Sequence, residues 1–263
     1  MADWNPTLYR RFEDERTRPA AELLTRVPLD APRWVFDLGC GPGNSTELLV
    51  HRFPQADVIG VDNSEAMLKA ARERLPDVKF ESSDIADWTP AVEPQLLYSN
   101  ATLQWLPQHE RLLPRLFETL APGGVLALQM PDNLDEPSHR LMRETAADGQ
   151  WHDALDAAEQ SRRALLSAEG YYDLLAPYAS MVDVWRTTYH HLMASPADIV
   201  QWVRSTALKP FLDALSADQQ PTFLAQYERR LDQAYPQRAD GRRLLAFPRL
   251  FIVAQRRCVS SLP

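Results

Sequence analysis

Trp34-Val-Phe-Asp-Leu-Gly-Cys-Gly-Pro-Gly-Asn-Ser45 decides the reading of this chain. A short apolar run delivers an acid, Asp37, and then three alternate glycines before a helix-forming stretch begins. A strand that stops in this way lets a ligand touch its backbone, because Gly39, Gly41 and Gly43 tolerate positive φ and carry no Cβ to hold the ligand off. Pro42 stiffens the turn, Asn44 or Ser45 is expected to cap the following helix, and Leu48, Leu49 and Phe53 seat that helix on a sheet.

Asp62 closes the next strand, Ala56-Asp-Val-Ile-Gly-Val-Asp62, nineteen residues beyond Gly43. That spacing is expected of the acid that binds a ribose diol in a nucleotide-binding βαβ unit. A dinucleotide fingerprint counted from Gly39 and Gly41 needs its third glycine at position 44, where this chain has Asn44. Asp37 would also repel a pyrophosphate, whereas it suits the ammonium and sulfonium of S-adenosylmethionine (SAM) by Coulomb attraction. The pattern acid-x-Gly-x-Gly-x-Gly resembles the first motif of class I SAM-dependent methyltransferases. The plain alternative is a tight strand–helix turn that holds no ligand.

At 263 residues, with 45% hydrophobic and 24% charged content, the chain can bury one sizeable core, or one core and a small lobe. A formal net charge of −8 gives no general attraction to nucleic acid or anionic membrane, so an anionic substrate must be met by local arginines. No apolar run approaches a membrane span, and Met1-Ala-Asp-Trp-Asn-Pro lacks the features of a signal peptide, so a cytoplasmic protein is expected. Cys40 and Cys258 cannot build a disulfide framework and read as reduced thiols, with Cys40 a small residue in a tight loop. The histidines are scattered, and the adjacent His190 and His191 face opposite ways on a strand, so no metal is expected.

From residue 34 onward, strands and helices alternate as in a parallel α/β sheet. Strands are expected over 34–38, 57–62, 78–82, 95–99 and 124–130. Helices are expected over 44–53, 64–75 and 109–120, with Ser64 capping the second. Beyond Pro131 a helical stretch covers about 136–176, followed by an alternating strand over 182–191. A second helical stretch covers 195–234 and breaks near Lys209-Pro210. A closing strand runs over 244–255, with Pro248 expected to mark an edge or a bulge.

In an open α/β sheet the ligand lies beyond the carboxyl ends of the strands. For SAM, the loop residues Asp37, Gly39, Cys40, Gly41, Gly43 and Asn44 would face the methionine end, together with Asn100. Asp62 would take the ribose hydroxyls, Asn63 and Met67 would pack on the adenosine, and Asp84 and Ile85 would meet the adenine. Asp84 also reads as a strand-end turn residue. In Asn100-Ala-Thr-Leu-Gln-Trp-Leu-Pro107, Gln104 suits a core poorly, and Trp105 is either a packing aromatic or a wall of a substrate pocket.

Longer stretches sharpen the resemblance. Trp4-Asn-Pro-x-Leu-Tyr9, Arg16-x-Arg-Pro19, the glycine loop and Asn100–Pro107 are joined by Gln129-Met-Pro-Asp-Asn133, Trp185-Arg-Thr-Thr-Tyr189 and Ala246-Phe-Pro-Arg-Leu-Phe-Ile-Val-Ala254. Together they resemble the trans-aconitate 2-methyltransferase family from residue 4 to about 256, most weakly over 144–168. The resemblance implies a Rossmann-like α/β sheet of seven strands, the last two antiparallel to each other. It also implies a SAM-binding core over 34–131 and helical insertions over 132–180 and 194–240 that form a substrate lobe.

The implied reaction esterifies a carboxylate of a tricarboxylate, which is already anionic at pH 7 and needs no general base. No catalytic residue is therefore expected beyond those that position the reactants. Arg18, Arg186 and Arg249 are candidate carboxylate clamps, with Tyr9, Gln104, Trp105, Tyr189 and His190 as further lining; each arginine has a surface ion pair as its plain alternative. The chain is expected to be a monomer or weak homodimer whose partner is a small molecule, not nucleic acid or membrane. Rival readings are a class I methyltransferase with another acceptor, such as a carrier-linked carboxylate or a quinone precursor, a SAM-binding regulator without catalysis, and a nicotinamide dehydrogenase. A quinone precursor would need a base to remove its phenolic proton.

Overall fold

A computed structural model describes residues 13–148, 163–204 and 206–258. Among the described residues, seven strands form one sheet in the order β3-β2-β1-β4-β5-β7-β6. They are β1 Trp34–Leu38, β2 Asp57–Asp62, β3 Lys79–Ser82, β4 Leu96–Asn100, β5 Val125–Pro131, β6 Ala179–Met193 and β7 Arg243–Arg256. The first five pair in parallel, while β7 runs antiparallel to both β5 and β6. The chain order turns back beside β1, which starts the sheet and has β2 on one side and β4 on the other. A ligand crevice is expected at such a reversal.

Alternation along each strand divides the core into two layers. Val35, Leu96, Tyr98, Val125, Ala127, Phe251 and Val253 face α1 (Glu13–Leu24) and α2 (Asn44–Arg52). Phe36, Leu38, Leu97, Leu126, Leu128, Leu250 and Ile252 face Leu113, Leu116 and Phe117 of α4 (His109–Glu118). Each of the larger of these side chains, removed from water, contributes about 1.5–3 kcal/mol, which is why strands covered on both faces read as near-continuous aliphatic runs. The buried Tyr98 hydroxyl donates to the Ala20 carbonyl at 2.6 Å, pinning α1 over the middle of the sheet. Between β2 and β3, α3 (Glu65–Arg74) buries Met67, Leu68, Ala70 and Ala71, and the Ser64 side chain accepts from the Met67 N–H as its expected cap.

A second apolar cluster lies at the far ends of β6 and β7. Met193, Leu245 and Phe247 meet Met142 of α5 (Pro137–Ala147), Val203 of α7 (Pro196–Arg204), Phe211 of α8 (Lys209–Ala214) and Phe223, Tyr227 and Leu231 of α9 (Gln220–Ala234). The helices between β5 and β6 divide. While α5 joins this lobe, α6 (Ala168–Leu175) buries Tyr171 and Leu175 on the main sheet beside α4.

Two local expectations are corrected. Neither Asn44 nor Ser45 caps α2: Gly43 occupies that position with φ +90°, and Ser45 instead donates to Asp37. Pro248 sits neither on an edge strand nor at a bulge, since β7 is interior and pairs Pro248 with Thr188 in register. Pairing of β5 ends at Pro131 opposite Arg249, and the Pro248 carbonyl accepts from the Asp132 N–H at 2.9 Å. The two polar groups of a strand residue point to the same side, so the missing N–H of Pro248 falls just past the end of β5, where the ladder has no further use for it.

Candidate functional site

The glycine loop is built by backbone pairing to β2. Gly39 and Cys40 N–H groups both donate to the Val61 carbonyl, at 2.7 and 3.0 Å. Gly39, Gly41 and Gly43 all have positive φ, but their surroundings differ. A Cβ at Gly39 would lie 2.1 Å from Thr102, whereas a Cβ at Gly41 would meet nothing within 4 Å. Gly39 is thus required by packing, and Gly41 borders open space.

Asp37 lies fully buried at the root of this loop. Its Oδ2 accepts from Ser45 and Thr46 hydroxyls, each at 2.7 Å, while its Oδ1 has no partner among the described residues. Burial pushes its pKa up to about 6, against the opposing pull of the Thr46 and Ser45 hydrogen bonds and with the charge of Asp62 adding to the rise. Burial, with Asp37 and Asp62 nearby, also raises the Cys40 thiol well above its ordinary value, so it is no nucleophile.

At the end of β2 the Asp62 carboxylate accepts from the Gly41 N–H and the Ser64 N–H, each at 2.9 Å. It joins the loop to α3 and sets a carboxylate at the carboxyl end of β2. Asn63 is exposed and Met67 buried beside it. Past β3, the exposed Asp84 closes its own turn by accepting from the Ala86 N–H at 2.9 Å, with Ile85 buried behind it. Arg115 of α4 holds this turn through the carbonyls of Trp88, Ile85 and Ala86 at 2.6–2.8 Å, a positioning role invisible in an ordinary amphipathic helix sequence.

Asn100 and Gln129 stand side by side in the β4–β5 register, on the same face as Asp37. Asn100 Oδ1 and Gln129 Nε2 are buried and have no partner among the described residues. Gln129 is fully buried, and its Oε1 accepts from Arg249 at 3.0 Å, which fixes the amide so that Nε2 remains the available donor. Gln104 donates to the Ala101 carbonyl at 2.6 Å, its buried Oε1 has no partner among the described residues, and Trp105 is half-buried. Buried polar atoms are nearly always paired, so an acceptor on Asp37, Asn100 and Gln104 and a donor on Gln129, gathered at the carboxyl edge, mark a place for a polar ligand. The residues fit a ligand carrying a ribose diol and a cationic amino-acid end. Gln129 is not among the site residues expected from the sequence, although a glutamine inside Val125-Leu-Ala-Leu-Gln-Met-Pro131 is the polar exception in a doubly covered strand.

The arginines expected to converge do not share one face. Arg249 is buried, and both it and Arg18 lie over the Tyr189 ring, at 5.8 and 5.1 Å. The Tyr189 hydroxyl donates to Glu22 at 2.5 Å, and Arg18 pairs with the same Glu22 at 2.8 Å. Burial, then the Glu22 contact, raises the Tyr189 pKa; burial works against Glu22, but the Tyr189 and Arg18 hydrogen bonds outweigh it and hold Glu22 below its ordinary range. Arg186 and His190 alternate to the opposite face, both exposed, and Arg186 donates to Asp132 at 2.7 Å. Tyr9 lies outside the described residues.

Comparison with known proteins agrees with this architecture. A family model described as a methyltransferase domain matches residues 35–124. Among solved structures, phosphoethanolamine N-methyltransferase 2 of Haemonchus contortus, in complex with S-adenosylhomocysteine, superimposes with a TM-score of 0.57 at 17% identity, over 91% of this chain and 52% of that one. The YcgJ protein of Bacillus subtilis does so with a TM-score of 0.61 at 11% identity, over 91% of this chain and 99% of that one. These likenesses identify the fold as that of class I methyltransferases. Two curated relatives named trans-aconitate 2-methyltransferase are far more similar in sequence. One from Variovorax paradoxus is 65% identical over 98% of this chain and 100% of its own length, and one from Yersinia pestis is 56% identical over 97% and 98%. Identity of that depth across core and lobe alike means that the chain belongs to the trans-aconitate 2-methyltransferase family.

Proposed function

We propose that this protein transfers the methyl group of SAM to a carboxylate of trans-aconitate, forming a methyl ester. The observation that carries this reading is that identity to relatives of that name spans the whole chain, including the helical lobe between 132 and 240, and not the 35–124 core alone. Acceptor choice resides in such grafted elements rather than in the shared sheet. SAM, when bound, supplies a methyl group made electrophilic by the sulfonium.

The chain's own residues supply placement. The Asp62 carboxylate takes the ribose hydroxyls, Asn63 and Met67 border the adenosine, and Asp84 and Ile85 border the adenine. Asp37 and Asn100 present acceptors to the cationic methionine end, and the open side of Gly41, with Gly39, Cys40, Gly43 and Asn44 around it, leaves room for it. Gln129 Nε2 donates to the acceptor carboxylate and, because Arg249 grips the other end of its amide, holds that carboxylate in one orientation. Gln104, Trp105 and Tyr189 line the same region. The lobe formed by the insertions over 132–180 and 194–240 covers the acceptor and excludes water, and the protein acts on this small molecule as a monomer or weak homodimer in the cytoplasm.

No side chain needs to remove a proton, because the nucleophile is a carboxylate that is ionised at neutral pH. Rate enhancement then comes from aligning oxygen, carbon and sulfur. The expected result is a kcat, with both substrates saturating and the chemical step isolated by rapid quench, that is flat from about pH 6.5 to 9. A sigmoidal rise with an apparent pKa above 7 would instead indicate an acceptor, such as a phenol, that must lose a proton first.

A further inference from the structure

We propose that a cavity of about 720 Å3, next to the end of β5 and lined by Arg143, Arg163 and Arg186, holds the carboxylates of the acceptor that are not methylated. The proposal rests on the reading that the acceptor is a polycarboxylate. The cavity brings together four separate parts of the chain: Asp132 and Asp135 after β5, Arg143 on α5, Arg163 ahead of α6, and Arg186 on β6.

Pairing sets these arginines apart. On α5 itself, Arg140 pairs with Glu144 at 2.6 Å, and Arg230 from α9 reaches Asp148 at 2.7 Å. Neither Arg143 nor Arg163 has an acid or a hydrogen-bond acceptor among the described residues, although both line a cavity that contains two aspartates. Arg186 is tied through Nε to Asp132 at 2.7 Å, which orients its guanidinium and leaves both terminal nitrogens as donors. Three guanidinium groups against two carboxylates leave an excess of positive charge. Two of the three are uncommitted among the described residues, and a guanidinium donates two parallel hydrogen bonds to a carboxylate.

Place and floor support the same ligand. Asp132 follows directly on β5, so the cavity opens three residues, or about 10 Å, along the chain from Gln129, on the carboxyl edge where an open α/β sheet holds its substrates. Leu165 and Leu166 line its floor and pack on the main core, which keeps water from one side of any ion pair formed there. A cavity of this size admits a short tricarboxylate with room to spare. Arg186 therefore has Arg143 and Arg163 as its partners in binding the acceptor, in place of Arg18 and Arg249.

Arg143→Gln, Arg163→Gln and the double variant test this, with two readouts. The first is KM for trans-aconitate. The second is the affinity of propane-1,2,3-tricarboxylate for enzyme loaded with S-adenosylhomocysteine, measured by titration calorimetry without turnover. Each single variant is expected to raise KM and weaken the tricarboxylate by about ten- to a hundredfold, the loss of a hydrogen-bond partner of a charged group. SAM affinity and melting temperature should stay at wild-type values, and the matching Arg→Lys changes should restore part of the binding. If wild-type enzyme methylates trans-aconitate while the double variant keeps KM and tricarboxylate affinity within twofold, the cavity assignment is wrong and the proposed reaction stands. If wild-type enzyme neither binds the tricarboxylate nor methylates trans-aconitate, the proposed reaction falls and the cavity assignment falls with it.

Discussion

Gly39→Ala is expected to destabilise the fold by about 3 kcal/mol or more, while Gly41→Ala costs about 1 kcal/mol and yet loses SAM. At Gly39 a new Cβ would sit 2.1–2.5 Å from the Thr102 side chain, including Thr102 Cβ, which no rotamer change can move away. Thr102 is itself held, its hydroxyl donating to the Gly39 carbonyl at 3.0 Å, so relief requires the β4 loop to shift. Left-handed backbone at φ +74° adds about 1–2 kcal/mol for any residue with a Cβ. At Gly41 the same strain applies, with φ +52°, but the Cβ enters open space. If that space belongs to SAM, the added methyl occludes it. Thermal melts and SAM titration of both variants check the pair, and equal stabilities with equal SAM affinities would undo the distinction drawn between the two glycines.

Asp37→Asn is expected to move stability and binding in opposite directions. The folded ligand-free protein holds Asp37 with a pKa near 6, above an ordinary 3.8, so it binds more protons than the unfolded chain between those values. Stability contributed by this group is therefore present at low pH and lost as pH rises from about 4 to 6. Above pH 6 the buried charge costs about 3 kcal/mol. Asparagine can still accept from Ser45 and Thr46 without that charge, so at pH 7.5 the variant should unfold at higher temperature by several degrees. The same change removes the negative charge that faces the cationic end of SAM, and affinity should fall by about 2–4 kcal/mol. In the wild type, SAM should bind more tightly as pH rises through 6 and then level off. A variant that is less stable than wild type and binds SAM normally would show that Asp37 serves the fold alone.

Much of this was legible in the chain because burial on both faces leaves a plain signature. Leu96–Ser99 and Val125–Leu128 read as strands from their side chains alone, and each expected strand of the first five lies within one residue of its place. Asp37 and Asp62 were legible too, being acids at strand ends at fixed distances from glycines. Sheet order was not. Nothing in the spacing of β6 and β7 states that the last strand inserts between β5 and β6, and the Pro248 error followed from that gap, since an interior proline is tolerated only where the neighbouring strand has already stopped. The candidate site divides in a similar way between what backbone shape dictates and what only folding brings together. Gly39, Gly41 and Gly43 are required by backbone shape, which sequence reports directly. Arg143, Arg163 and Arg186 gain meaning only once α5, the approach to α6 and β6 are folded round one cavity, and along the chain each is an ordinary polar residue. Arg18 and Arg249 were singled out by motif, yet the first lies exposed beside Glu22 and the second is buried against Gln129.

The central claim is that the site methylates a carboxylate of a free tricarboxylate, and product identification tests it most directly. Purified protein incubated with methyl-labelled SAM and trans-aconitate should yield S-adenosylhomocysteine and a monomethyl ester of trans-aconitate in equal amounts, both detected by mass spectrometry. Release of S-adenosylhomocysteine with no ester, or label appearing only on a phenolic or carrier-linked acceptor supplied in competition, would contradict the account.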